Sequence, residues 1–244
     1  MSLNGLQSDP TGLETLETFS KAPAINRWLY EKISSYLRGN ILEIGSGIGN
    51  ISSFLLKDQQ NVSLSDLRPE YCSILEQKFR SHPHLQNVYE LDVSITDFET
   101  RFPNLIAQFD TVIALNVIEH IEAERLAIKN AASLLRANGR LVVLVPAGEW
   151  LYNRLDKELG HFKRYNKTSL PFLLENAGLK VSHRTYFNGA AIFGWWFSGS
   201  VLKNKMIPPY QLKIYNQLVP VFKLADWFIN PFAGISVIAV ATKN

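Results

Sequence analysis

Residues 156–165 read DKELGHFKRY and gather a carboxylate, an imidazole, a guanidinium and a phenol in one short stretch. His161, as a neutral imidazole, can act as a general base. Arg164 offers a planar fork that suits carboxylate or phosphate, and Tyr165 supplies a hydroxyl. Asp156 can orient His161 or neutralise Arg164; the same stretch also reads as an ion-paired loop. A second imidazole, His120, follows the apolar run FDTVIALNVIE and is either a base or a turn cap. A third group lies in EIGSGIGN (43–50), with glycines at 45, 47 and 49 around Ser46. Such spacing lets backbone N–H groups close in on a ligand ahead of a helix N-terminus. Asn50 stands where a dinucleotide fingerprint wants glycine, and Glu43 would repel a pyrophosphate. Glu43 suits a cationic ligand instead. Asp66, about twenty residues on, is placed to accept both hydroxyls of a ribose.

These residues need a frame that brings them together. NILEIGSG (40–47), NVSLSDL (61–67), VYELDV (88–93), FDTVIALNVI (109–118) and RLVVLVPA (140–147) are short apolar runs expected to be strands. PEYCSILEQKFR opens a helix with Pro69 in its first turn, where the missing N–H costs nothing. EAERLAIKNAASLLRANG is expected to be a helix closed by Gly139. LETFSKAPAINRWLYEKISSYL supplies leading helices, while LKVSHRTYF (179–187) and GISVIAVATK (234–243) add two strands. The alternation predicts a parallel α/β sheet with helices on both faces. Ligands on such a sheet bind beyond the strands' carboxyl ends, where the candidate residues fall.

The motifs resemble those of the class I S-adenosylmethionine-dependent methyltransferases. ILEIGSGIGN is similar to their E-x-G-x-G-x-G motif, and Asp66, with Leu67 beside it, to their ribose-binding acid. LDV (91–93) is similar to the segment around the adenine amino group. FDTVIALNVIEHI is similar to the fourth-strand motif under the methionine part of the cofactor, and LLRANGRLVVLVP to the strand that follows. The resemblance implies a Rossmann-like seven-stranded sheet of order 3-2-1-4-5-7-6 with the final strand antiparallel. It implies S-adenosyl-L-methionine as cofactor, held by Glu43, Gly45, Ser46, Gly47, Gly49, Asp66, Leu67, Asp92, Val93 and Asn116. D-x-x-L-G-H-x-x-R-Y further resembles a pattern in a bacterial subgroup of these enzymes. The acceptor side would then hold His120, His161, Arg164 and Tyr165 as candidate catalytic residues.

Composition sets the outer bounds. Of 244 residues 46% are hydrophobic and 19% charged, as in a globular domain, and a single cysteine excludes a disulfide framework. Residues 1–12 read as a flexible lead-in and 13–244 as one domain, expected to be cytoplasmic. Lys and Arg number 13 against 18 acids up to residue 150, then 12 against 4. That basic final third suits an anionic partner. Residues 188–233 form an apolar helical insertion before the last strand, too short in its uncharged part to span a bilayer. Trp195, Trp196, Phe197, Tyr210, Tyr215, Phe222 and Trp227 suit an acceptor pocket or peripheral contact with the inner membrane face. Residues 212, 215, 219 and 222 share a helix face suited to core or homodimer contact. A small or amphipathic acceptor, lipid-linked or saccharide, is expected. The alternatives are an RNA methyltransferase, against which the basic residues are interleaved with aliphatics, and a non-catalytic cofactor-binding partner. No metal site is indicated, since His82, His84, His120, His161 and His183 show no ligand spacing.

Overall fold

The computed structural model describes residues 10–59 and 61–244. One sheet contains β1 (Ile41–Ile44), β2 (Val62–Asp66), β3 (Leu85–Glu90), β4 (Phe109–Leu115), β5 (Leu135–Pro146), β6 (Leu179–Phe187) and β7 (Ser236–Lys243). Its order is β3-β2-β1-β4-β5-β7-β6, as expected. The pairs among β1 to β5 are parallel, and β7 runs antiparallel to β5 and β6.

Helices α1 (Pro10–Ser20), α2 (Pro23–Ser34), α3 (Ser52–Asp58), α4 (Pro69–Phe79), α5 (Phe98–Arg101), α6 (Glu124–Ser133), α7 (Arg154–Glu158), α8 (Ser169–Glu175), α9 (Ala191–Trp196) and α10 (Pro209–Ile229) surround it. Every residue of β1 and β2 is buried, as a doubly covered sheet demands. On one face Leu42, Val112 and Val143 meet Ile128 of α6 and Leu174 of α8. On the other, Ile41, Leu64 and Val142 meet Ile33 of α2, Leu55 of α3 and Leu75 of α4. Edge strand β3 shows no fully buried residue, and β6 mixes buried ends with exposed positions, so both edges are polar enough to resist further pairing.

Three sequence boundaries shift. The lead-in expected over 1–12 falls mostly on residues outside those described, and from Pro10 the chain is already helical. The third strand ends at Glu90, which leaves Asp92 and Val93 on the loop beyond it. The helix expected to close at Gly139 ends at Ser133 instead. Leu135, fully buried, already pairs beside Phe109, and Asn138 rather than Gly139 takes the left-handed conformation at φ 62°. Sheet pairing and burial of Leu135 override the helical pattern there.

The insertion is helical as expected: α9, one π turn over Phe197–Val201, and α10. Among the described residues no helix is long and apolar enough to cross a membrane. Leu212 and Val219 of α10 are buried, and Tyr215 and Phe222 pack against the same core. Asn216 Oδ1 accepts the backbone N–H of Ala24 and Ile25 at 2.9 and 3.2 Å. It thereby serves the orphan Ala24 N–H of α2, whose own N-cap makes no side-chain bond, and shares the Ile25 N–H with Ala22 O. Asp226 accepts the N–H of Asn188 at 2.9 Å and of Gly189 at 2.5 Å, fastening α10 to the end of β6.

Candidate active site

The carboxyl ends of β1, β2 and β4 open onto a cavity of about 1150 Å³ that runs on to the insertion. A single small-molecule ligand commonly fills about 300–1,000 Å³, so this volume has room for more than one. Gly45, Gly47 and Gly49 have φ of 71°, 55° and 79°, the left-handed region that side chains disfavour. A Cβ on Gly45 would also lie 2.4 Å from Val117. Gly45, Ser46 and Gly47 line the cavity, whereas Gly49 backs onto Phe79, where a Cβ would come within 2.5 Å of the ring. Gly49 is therefore a packing position, not part of the ligand-facing wall.

Asp66 ends β2, nearly buried. Its Oδ2 accepts the Gly47 N–H at 2.9 Å and its Oδ1 the Arg68 N–H at 3.0 Å. Each carboxylate oxygen has capacity for a further donor from the cavity. Burial pushes its carboxyl up against these bonds. Glu43 lies deeper, bonded by the Ser52 hydroxyl, and burial pushes it up to about 7. Leu67, Asp92, Val93 and Asn116 also line the cavity. Asp92 Oδ1 is held by Ser94 N and Oγ at 2.8 and 2.6 Å, and Asn116 has φ 55° at the end of β4. The edge is acidic, glycine-lined and free of a phosphate cradle, which fits a cationic cofactor with a ribose.

Farther along lie His120 and His161, their rings 4.7 Å apart and edge-on. The loop after β5 is held to the turn after β4 by the Phe162 N–H to Glu119 O bond at 2.8 Å. Asn153 caps α7 through Leu155 N at 2.9 Å, and Asp156 Oδ2 accepts the Asn153 N–H at 3.0 Å. Asp156 Oδ1 meets His161 Nδ1 and Arg164 Nε, both at 2.9 Å. Both roles suggested for Asp156, orienting and neutralising, are thus performed by one oxygen. Burial raises its carboxyl, but His161 and Arg164 together hold it below the usual range.

The structure places Arg164 at the cavity and Tyr165 in the core. Arg164 is 2% exposed and also donates from Nη1 to Ala147 O at 2.9 Å, with its guanidinium 4.7 Å from the Trp195 ring. Its Nε and Nη1 are spent inside the protein, which braces the site, while the residue also lines the cavity. Tyr165 bridges Ala147 in extended conformation, so its side chain points opposite to that of Arg164. It joins the α6 and α8 core and donates to Glu124 Oε2 at 2.6 Å, away from the cavity.

Glu119 was not singled out from sequence. It is fully buried beside His120, and neither carboxylate oxygen has a hydrogen-bond partner. Burial pushes it up to about 8, partly offset by the charge of Arg164. The available signal was an acid next to a histidine at a strand end, in NVIEH. From the insertion, Trp195 and Tyr215 line the cavity with Ile207 and Leu212. Trp196, Phe197, Tyr210 and Trp227 are exposed, and Phe222 packs on the core.

A family model described as a methyltransferase domain matches residues 42–141. The ubiquinone biosynthesis O-methyltransferase of Xanthomonas euvesicatoria pv. vesicatoria is 26% identical over 174 residues, 65% of this chain and 71% of that enzyme. A hybrid PKS-NRPS synthetase of Talaromyces variabilis is 26% identical over 151 residues, 54% of this chain and 4% of that protein. In structure, a SAM-dependent methyltransferase from Archaeoglobus fulgidus superposes with a TM-score of 0.58 at 16% identity, covering 89% of this chain and 94% of that one. That likeness attests the fold.

Proposed function

As a class I S-adenosylmethionine-dependent methyltransferase the chain must present an acceptor to its cofactor, and we propose that this acceptor is a small amphipathic molecule methylated on oxygen. The observation that carries the reading is one continuous cavity, acidic and glycine-lined at the strand ends and apolar at the insertion, with His120 and His161 between. S-adenosylmethionine supplies an electrophilic methyl group on a sulfonium. In this reading Asp66 holds its ribose hydroxyls, Leu67, Asp92 and Val93 its adenine, and Gly45, Ser46, Gly47 and Asn116 its methionine part. Glu43, behind the glycine turn, balances its positive charge.

The acceptor oxygen attacks the methyl carbon as the carbon–sulfur bond breaks, and the acceptor's proton must leave. His120 and His161 are the groups in place for that step. Asp156 holds His161 through Nδ1, which leaves Nε2 to face the acceptor. Trp195, Ile207 and Tyr215 give the acceptor's apolar part a dry wall, which favours a lipid-like molecule over RNA. Oxygen as the accepting atom is supported by the name of the Xanthomonas relative. The exposed aromatics of the insertion suit peripheral membrane contact, from which such an acceptor can be drawn. His161→Gln should cut turnover at least tenfold while the Kd for S-adenosylmethionine stays within about twofold. Equal losses in both would reduce the loop to a support for the cofactor pocket.

A further inference from the structure

Glu119 is the most anomalous polar group among the described residues. A carboxylate removed from water without a partner costs several kcal/mol, so buried carboxylates are ordinarily paired, protonated or bound to metal. One oxygen of Glu119 and one ring nitrogen each of His120 and His161 lie within 4.8 Å of one another. We propose that Glu119, His120 and His161 form a divalent-cation site at the acceptor end of the cavity.

The donor set is two imidazoles and one carboxylate, which suits borderline ions such as Zn²⁺, Co²⁺, Ni²⁺ and Mn²⁺. Bonds of about 2.1 Å at tetrahedral angles need donors roughly 3.4 Å apart, so side-chain rotation of about 1 Å closes the site. The surroundings are those of a built centre. Asp156 accepts from His161 Nδ1 at 2.9 Å, which leaves Nε2 as the nitrogen available to an ion and makes the imidazole a better ligand. Arg164 Nε fixes that carboxylate by donating to the same Oδ1 at 2.9 Å. The Phe162 N–H to Glu119 O bond holds the two ligand-bearing turns in register. His120 and His161 both line the cavity, so coordination positions beyond the three protein ligands face the acceptor space. An ion there can bind an acceptor hydroxyl and lower its pKa, replacing a free imidazole as the means of deprotonation. The inference extends the methyl-transfer reading but stands on the ligand cluster, and the two are tested separately.

The untagged full chain, stripped with chelator and dialysed, is titrated calorimetrically with ZnCl₂, CoCl₂ and MnCl₂, and S-adenosylmethionine is titrated into the same samples. One ion per chain is expected. Affinity should fall at least tenfold in Glu119→Gln and in His161→Gln, with cofactor affinity within about twofold of the parent. Visible absorption of the Co²⁺ form should be lost in both variants. Should Glu119→Gln misfold by circular dichroism, His120→Gln on the exposed side of the cluster takes its place. No binding of any of the three ions, or equal binding in parent and variants, would overturn the site. In that outcome retained cofactor binding leaves the methyltransferase reading standing.

Discussion

At the level of single residues, the cavity couples two buried acids with different demands. Glu43 holds its proton up to about pH 7 in the folded chain because burial disfavours the charge. Its folded pKa exceeds its unfolded one, so the stability it adds is complete in mild acid and is lost as pH rises through about 7. In the cofactor-free protein, the stability of the parent relative to Glu43→Gln, followed through Tm, should therefore fall from pH 5 to pH 8, by on the order of 3 kcal/mol at full effect. A constant difference across that range would place the carboxyl at its ordinary value. Asp66→Ala should weaken S-adenosylmethionine at least tenfold in calorimetry, because it removes an acceptor facing the cavity and the partner of the Gly47 N–H. Arg164→Ala leaves Asp156 buried with only His161 and the Asn153 N–H as partners and should destabilise the fold by about 3 kcal/mol, read as a drop in Tm. The sequence exposed Glu43, Asp66 and His161 through their spacing from the glycines and strands. It did not expose the opposite facing of Arg164 and Tyr165, which depends on the bridge to Ala147. Nor did it expose Glu119, which becomes anomalous only once its burial is known.

At the level of elements, the strand–helix alternation was legible because doubly covered strands must be apolar on both faces. The errors came where tertiary pairing outweighs local pattern. Leu135 leaves a helical run to join β5 because burial and ladder hydrogen bonds reward it more than one further helical turn. The seating of α10 was also only half visible. Its inward face follows from periodicity, but the service that Asn216 gives to α2 joins residues nearly two hundred positions apart. Asn216→Ala should strip the acceptor from Ala24 and Ile25 and lower stability by about 1 kcal/mol, seen as a fall in Tm without change in cofactor affinity. Loss of cofactor binding in that variant would mean that the insertion shapes the cofactor end as well as the acceptor end.

At the level of the whole molecule, the insertion leaves several large apolar side chains exposed. Phe193, Trp227 and Phe232 are 70%, 73% and 82% exposed, and the same insertion carries lysines 203, 205 and 213. Isolated exposed apolar side chains need no explanation, but so many exposed rings on one insertion are a candidate contact surface to be tested. Flotation should recover the chain with anionic vesicles more than with neutral ones, and Trp227→Ala with Phe232→Ala should reduce recovery several-fold. Absence from both vesicle types would assign this surface to a protein contact. The central claim is that one cavity joins S-adenosylmethionine to a small amphipathic acceptor. Its most direct test is incubation with cofactor labelled in the methyl group and a whole-cell extract, followed by separation of small molecules, lipids, protein and RNA. The account predicts label in the lipid or small-molecule fraction, absent with Asp66→Ala and reduced at least tenfold with His161→Gln. Label confined to RNA or protein would contradict it.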